Sequence, residues 1–293
     1  MEDVLTADGF WQEFSVLAET CSKRERAAFP RREQVSVYEE LDSTNAEQVR
    51  RLENAAALRN RDGTLTADGK RLHLSLVAAA SQTAGRGRLG RKFYSPSGTG
   101  IYFSLLYAPQ GGVQDAAQYT VTAAVAVCRA IEALYGVQAQ IKWVNDVYVN
   151  SRKVCGILTE GIARPERAVV EAAVIGIGIN IVVDESQLPP DVAGRAGGIL
   201  NGSPAKGLSR ARLLARAVKE LLVPLATGED VVPEYRRRSF LLGKTVTVSP
   251  LAGTTQDRYE AEAIAVTDDA GLLVELADGS RRVLRSGEVT LHR

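Results

Sequence analysis

Residues 83–104 read TAGRGRLGRKFYSPSGTGIYFS, and Gly85, Gly87 and Gly90 have the G-x-G-x-x-G spacing of a dinucleotide-binding turn. Two of the spacer positions, Arg86 and Arg88, are arginines, and Arg91 follows the last glycine. A dinucleotide fingerprint needs a helix straight after its glycines, because the helix N-terminus binds the pyrophosphate, and an acid roughly 20 residues on for the ribose. Here Pro96, Gly98 and Gly100 block a helix, and IYFSLLY reads as a strand. No V-A-I-K, H-R-D or D-F-G follows, which excludes a protein-kinase loop, and the Walker pattern is absent. The remaining readings are a solvated basic turn and a flexible loop that wraps an anion. In the second, glycines let backbone N–H groups turn inward while the arginines pair with carboxylate or phosphate oxygens. Such a loop, 84–92, is expected to be mobile when empty.

The bulk composition makes any anion site a local matter. The chain has 293 residues, 36 basic against 35 acidic, so a net charge of +1 gives no global field toward DNA or an anionic membrane. With 45% hydrophobic residues it can bury a full core. Cys21, Cys128 and Cys155 are far apart and form no C-x-x-C, which points to small buried side chains rather than disulfides or zinc. His73 and His292 are the only histidines, which removes most histidine triads and the usual zinc catalysts. Neither a signal peptide nor a membrane-length apolar run is legible, so a cytoplasmic location is expected.

Around the loop, the periodicity predicts a mixed α+β architecture. Residues 8–28 carry a helical stripe at Phe10, Trp11, Phe14, Leu17 and Ala18. QVSVYEEL alternates as a strand and leads into a helix over DSTNAEQVRRLENAAALRN, with Asp42, Ser43 and Thr44 as candidate N-caps and a capping-box spacing from Thr44 to Glu47. Residues 60–70 read as a polar loop and LHLSLVAAA as a buried strand. A helix over 115–135 ends at Gly136. Strands follow at QIKW, VYVN, KVCGILTEG and AVVEAAVIGIGINIVV, with turns at Asn145-Asp146 and Asn150-Ser151. Helices are expected near 208–227 and 230–241. Beyond Gly243, five short strands within about 50 residues indicate a small SH3-like barrel. The expected divisions are a helical extension at 1–33, a main domain at 34–241 and the barrel at 242–293.

Two further stretches carry chemistry. IKWVNDVYVNSRKVCGILTEG presents Lys142, Asn145, Asp146 and Lys153 around a hairpin, where a lysine beside the arginine loop could neutralise a reacting carboxylate and phosphate. Asp146 could hold Mg2+ directly or through water. In IGIGIN, Gly176 and Gly178 inside a strand mark a bulge or a close approach.

STN at 43–45, QTAGRGRLGR at 82–91, SPSGTGIYFS at 95–104, KWVND at 142–146, RKVCGILTE at 152–160 and GIGIN at 176–180, in this order, resemble a bacterial biotin protein ligase. SGEVTLH resembles part of that family's small final domain. The resemblance implies a mixed-sheet ligase domain of the biotin/lipoyl type that makes biotinyl-5′-AMP from biotin and ATP with Mg2+. Biotin is then passed to one lysine of a biotin carboxyl carrier protein or domain.

By the same resemblance Ser43, Thr44, Asn45, Gln82, Gly85, Arg86, Gly87, Arg88, Lys153 and Gly156 contact biotin. Arg86, Arg88, Arg91, Phe93, Lys142, Asn145, Asp146 and Asn180 contact ATP or the adenylate. Lys153, Arg88 and Asp146 are the catalytic candidates, with Asp146 at the metal. Phe93 stands where many members carry Trp, and Val144 replaces the proline of K-W-P-N-D. Some members carry an N-terminal winged helix-turn-helix of roughly 60 residues. The 42 residues before Ser43 read as one helix plus a strand, so a form without DNA binding is expected. Edge strands of such sheets can pair, which leaves a homodimer open. Two alternatives stand beside the ligase: a lipoyl or octanoyl transferase of the same fold, and a non-catalytic biotin or adenylate sensor.

Overall fold

The computed structural model describes residues 4–163, 170–190, 192–200, 209–249 and 258–291. In chain order come α1 (Ala7–Glu19), α2 (Lys23–Arg26), β1 (Val35–Leu41), α3 (Thr44–Glu53) and α4 (Ala67–Leu72). Next are β2 (Leu76–Gln82), β3 (Gly100–Tyr107) and α5 (Ala116–Tyr135). Four strands follow, β4 (Gln140–Lys142), β5 (Asp146–Val149), β6 (Arg152–Ala163) and β7 (Val170–Asn180), then α6 (Arg210–Thr227) and α7 (Val232–Arg238). The last five are β8 (Thr245–Ser249), β9 (Tyr259–Val266), β10 (Leu272–Glu275), β11 (Arg281–Leu284) and β12 (Glu288–Leu291).

Seven strands form one mixed sheet in the order β1-β2-β3-β7-β6-β5-β4, in which only β1 and β2 run parallel. Along β7 the side chains alternate. Ile175, Ile177 and Ile179 are buried in the main core, which also takes in residues of α5 and α6, while Ala172 and Val174 join a smaller cluster with Leu52 and Leu106. Period-two alternation puts Gly176 and Gly178 on that second face, so the isoleucines build the core and the glycines leave open space opposite. No bulge occurs at these glycines: Gly176 pairs with Ser104 and Leu158, and Gly178 with Tyr102 and Gly156, in unbroken register.

Several local expectations need correction. The stripe at 8–28 is broken after Glu19, where Ser22 starts α2 with a capping box to Glu25. Phe10 and Phe14 are buried, and α1 packs against α6. Ser43 caps α3 by accepting from Ala46 N, and Glu47 pairs with Arg50 and Arg51, so no capping box forms from Thr44. α4 starts inside the stretch read as a loop, capped by Thr66. α5 ends as expected, with Gly136 left-handed at φ 66°. The three cysteines are free and buried, and burial pushes the Cys128 thiol up to about 12.

The small sheet is antiparallel, in the order β11-β10-β9-β8-β12, the SH3-like barrel anticipated from the sequence. Its Val246, Val248, Ala263 and Val289 belong to the same buried core as the large sheet. Trp143 Nε1 donates to Ala270 O at 2.9 Å, and Arg236 Nε donates to Val266 O at 2.6 Å. These bonds seat the barrel beside the turn that carries Asn145 and Asp146. Among the described residues no helix is long and apolar enough to cross a membrane.

Candidate active site

A cavity of about 810 Å³ opens on the glycine face of the sheet. Its lining includes Ser43, Thr44, Asn45, Gln82, Arg86, Gly87, Arg88, Arg91, Phe93, Lys142, Asn145, Asp146, Lys153, Gly156 and Asn180. These residues come from six separate stretches, and the fold gathers them in one place. Gly85 is the exception: a Cβ there would lie 2.4 Å from Phe93 O and 2.7 Å from Ser95 Oγ, so this glycine serves close packing beneath the loop.

Local geometry explains how each wall is built. Asn150 and Ser151 have φ of 49° and 62°, the left-handed pair of a tight two-residue hairpin joining β5 to β6. Register then shifts: Val147 faces Cys155, but Tyr148 faces Lys153, leaving Val154 as the extra residue. A bulge reverses the alternation. Without it, Lys153 would share the core-facing side of Cys155; with it, Lys153 lines the cavity beside Gly156, and Val154 is buried. Lys153 Nζ meets Asp146 Oδ1 at 2.6 Å across the hairpin. Val144, in place of proline, is buried, and its carbonyl accepts from the Tyr235 hydroxyl at 3.0 Å, which holds the turn before Asn145.

The floor is a polar network. Gln82 Oε1 accepts from Thr44 N at 2.8 Å, and Gln82 Nε2 donates to Ser95 Oγ at 3.0 Å. Ser104 Oγ lies 2.7 Å from Thr44 Oγ1 and 2.5 Å from Asn45 Oδ1. Asn45 Nδ2 donates to Glu160 Oε2 at 2.7 Å. Phe93, expected among the nucleotide contacts, lines the cavity and lies over the strand glycines: a Cβ on Gly178 would come within 2.5 Å of its ring and one on Gly156 within 2.8 Å. A Cβ on Gly176 would stand 2.0 Å from Asn45 Oδ1. The close approach marked by these glycines is therefore made by side chains.

The arginine loop forms the opposite wall. No helix follows its glycines; residues 88–90 make a 3-10 turn with Leu89 and Gly90 at φ 58° and 72°. Arg88 Nη1 donates to Asn145 Oδ1 at 3.0 Å and Nη2 to Gly287 O at 3.1 Å. Asn145 in turn donates to Ile157 O at 2.8 Å, so its amide positions Arg88 against β6. Arg91 pairs with Glu288, Nη1 to Oε1 at 2.8 Å. That bond holds the Glu288 carboxyl below its usual range and the Arg91 guanidinium above its own. Burial lowers both Arg88 and Lys142 from their ordinary values. An entering anion would offset that cost.

Arg86, Arg88, Arg91, Lys92, Lys142, Lys153 and Arg195 line the cavity against Asp146, Asp184 and Glu288, seven basic groups to three acidic. In a chain of net charge +1, this concentration selects an anionic ligand. Arg195, Asp184 and Glu288 were missed from the sequence. Glu288 lies inside the noticed SGEVTLH, whereas the stretch holding Asp184 and Arg195 shows only a loop signature. His292 lies outside the described residues. Among the described residues no cluster of three or more His, Cys, Asp or Glu could cage a metal. Mg2+ usually takes one or two carboxylates and fills its shell with phosphate oxygens and water, a role that Asp146 fits.

Residues 70–180 match the model of the biotin/lipoate A/B protein ligase family. The biotin--[acetyl-CoA-carboxylase] ligase of Paracoccus denitrificans is 33% identical over 225 residues, covering 73% of this chain and 88% of that protein. The chain belongs to the biotin protein ligases of this family. The bifunctional ligase/repressor BirA of Bacillus spizizenii is 33% identical over 217 residues, 71% of this chain, and the match spans 64% of that relative's length. The biotin protein ligase from Aquifex aeolicus, solved in complex with biotin and ATP, superposes with a TM-score of 0.65 at 24% identity, over 88% of this chain and 98% of that one. That likeness establishes the shared fold.

Proposed function

We propose that this protein is an ATP-dependent biotin protein ligase, which forms biotinyl-5′-AMP and transfers biotin to a lysine of a biotin carboxyl carrier protein or domain. The observation that carries the reading is the cavity itself, with a polar and aromatic floor on one side and a wall of convergent cations on the other. Residues 34–241 act as the catalytic domain, 1–33 as a helical extension and 242–293 as a barrel that braces the loop.

Attack of a carboxylate on the α-phosphate brings two anions together, so alignment and charge neutralisation supply most of the rate. Ser43, Thr44, Asn45 and Gln82 bind the ureido ring, with Gly156 and Phe93 along the ligand's apolar body. Arg86, Arg88 and Lys153 take the carboxylate and α-phosphate oxygens, and Arg91, Lys142, Asn145 and Asn180 the rest of the nucleotide. Asp146 would hold Mg2+, which when bound screens phosphate charge. The carboxylate oxygen bonds to the α-phosphorus as pyrophosphate leaves. In the second half the carrier lysine's amine attacks the acyl carbon, AMP departs with the bridging oxygen, and the amine proton passes to Asp146 or to water.

Thermal stability with ATP and Mg2+ tests the substrate. Biotin should raise the melting temperature and lipoate should not. A rise with lipoate alone would move the reading to the lipoyl branch. A biotin shift without labelling of any added carrier domain would favour a sensor.

A further inference from the structure

The proposed contacts leave Glu160 without a role, although it joins the two halves of the cavity. Its strand position on β6 puts it on the same face as Gly156 and Leu158. Its side chain is 25% exposed; Oε1 lies 3.3 Å from Arg86 Nη2, and Oε2 accepts from Asn45 Nδ2 at 2.7 Å. Asn45 is buried, and its other amide atom, Oδ1, lies 2.5 Å from the fully buried Ser104 hydroxyl, which also lies 2.7 Å from Thr44 Oγ1. A single chain of contacts therefore runs from Gln82 and Thr44 through Ser104, Asn45 and Glu160 to Arg86.

We propose that Glu160 is a positioning residue that ties the arginine loop to the ligand floor, orienting Arg86 and Asn45 together. It has the chemistry for both tasks. A carboxylate has two oxygens, and each is committed to a different side of the cavity. A guanidinium has five N–H donors, so engaging Nη2 leaves Arg86 with Nε and Nη1 free to turn toward a ligand carboxylate. Asn45 is fixed at both ends of its amide, with Nδ2 donating to Glu160 Oε2 at 2.7 Å and to Leu158 O at 3.3 Å while Ser104 engages Oδ1, so Glu160 supplies the shorter of its two acceptors. The loop thus starts from a preferred position, and a ligand that touches Thr44 and Asn45 meets an Arg86 already aimed.

This inference rests on the ligase reading for its kinetic readout but not for its structural one. Glu160→Gln keeps an acceptor for Asn45 and removes the charge opposite Arg86. In biotin-dependent pyrophosphate exchange it should raise KM for biotin about fivefold, the effect of a half-exposed ion pair, with kcat within about twofold. In the ligand-free protein the amides of residues 84–92 should exchange faster with solvent while Tm stays unchanged. Glu160→Asp, which keeps the charge on a shorter arm, should recover part of both effects. Unchanged loop exchange in Glu160→Gln, or a lowered KM showing that Glu160 competes with the ligand for Arg86, would overturn the proposal. If the wild type shows no biotin-dependent exchange, the ligase reading fails and the loop-exchange comparison alone decides the role of Glu160.

Discussion

The floor of the cavity and the arginine loop above it are held by different physics. On the floor, Thr44, Asn45 and Ser104 are buried and bonded to one another, and Gln82 is locked between Thr44 and Ser95. Removing one partner from such a network costs roughly 1–3 kcal/mol, because another buried polar group is left bare. Of the loop's arginines, Arg88 is bonded to Asn145 and to Gly287 O, while Arg86 and Arg91, with side chains 49% and 61% exposed, are held by ion pairs, and exposed ion pairs contribute roughly 0–1 kcal/mol. The floor is thus fixed by buried bonds, whereas Arg91 can exchange Glu288 for ligand oxygens at little cost and Arg86, still paired with Glu160, can turn its other N–H groups to the ligand. In the proposed reaction, recognition would fall to the first region and charge neutralisation to the second.

The largest effect should come from the charged side. Lys153→Ala should lower adenylate formation about 10²- to 10³-fold, the usual loss of one transition-state donor, while biotin still raises Tm. Loss of the biotin shift as well would erase the division of labour between the two regions.

Glycine substitutions test their rigidity. Gly176→Ala, whose Cβ would sit 2.0 Å from Asn45 Oδ1, should destabilise the protein by about 1–3 kcal/mol in denaturant titration. Gly87→Ala in the loop has its nearest contact at 3.3 Å and should cost less than about 1 kcal/mol. Equal losses would show the loop to be as tightly packed as the floor.

Acid unfolding separates the scaffold from both regions. His73 accepts from Ala108 N at 3.1 Å, and burial, helped by Arg59, lowers its pKa from 6.5 to about 4. The unfolded chain therefore binds the proton first, so stability is full above pH 6.5 and is lost as pH falls toward 4, on the order of 3 kcal/mol. His73→Gln should flatten that part of the stability–pH curve. An unchanged curve would assign the acid sensitivity elsewhere.

The smallest effect is expected at Glu288. Glu288→Gln should free Arg91 and lower KM for ATP by about two- to threefold. A tenfold rise would mean that this ion pair holds the loop in its working position.

Much of this was legible in sequence, for definite reasons. Gly136 ends α5 because only a left-handed residue closes that helix, and Ile and Gly alternate in IGIGIN because one face of β7 is core and the other is cavity. What escaped depended on the third dimension. Single-sequence alternation would aim Lys153 into the core; the unpaired Val154 turns it outward, and no residue type announces that bulge. Glu160 looks like any strand glutamate until Asn45 and Arg86, at distant positions in the chain, arrive on either side. Arg195 lines the cavity because its own carbonyl accepts from Lys153 N at 2.9 Å, a pairing between a loop and a strand edge. Phe93 was legible as a site residue but not as a floor residue, since its place depends on two glycines from different strands.

The most direct test of the central claim is exchange of labelled pyrophosphate into ATP by the purified protein with Mg2+, run with biotin, with lipoate and with neither. The account predicts exchange that requires biotin and is absent with lipoate. Absence of exchange with either acid, from protein whose Tm rises with biotin, would contradict the ligase mechanism and leave a binding module in its place.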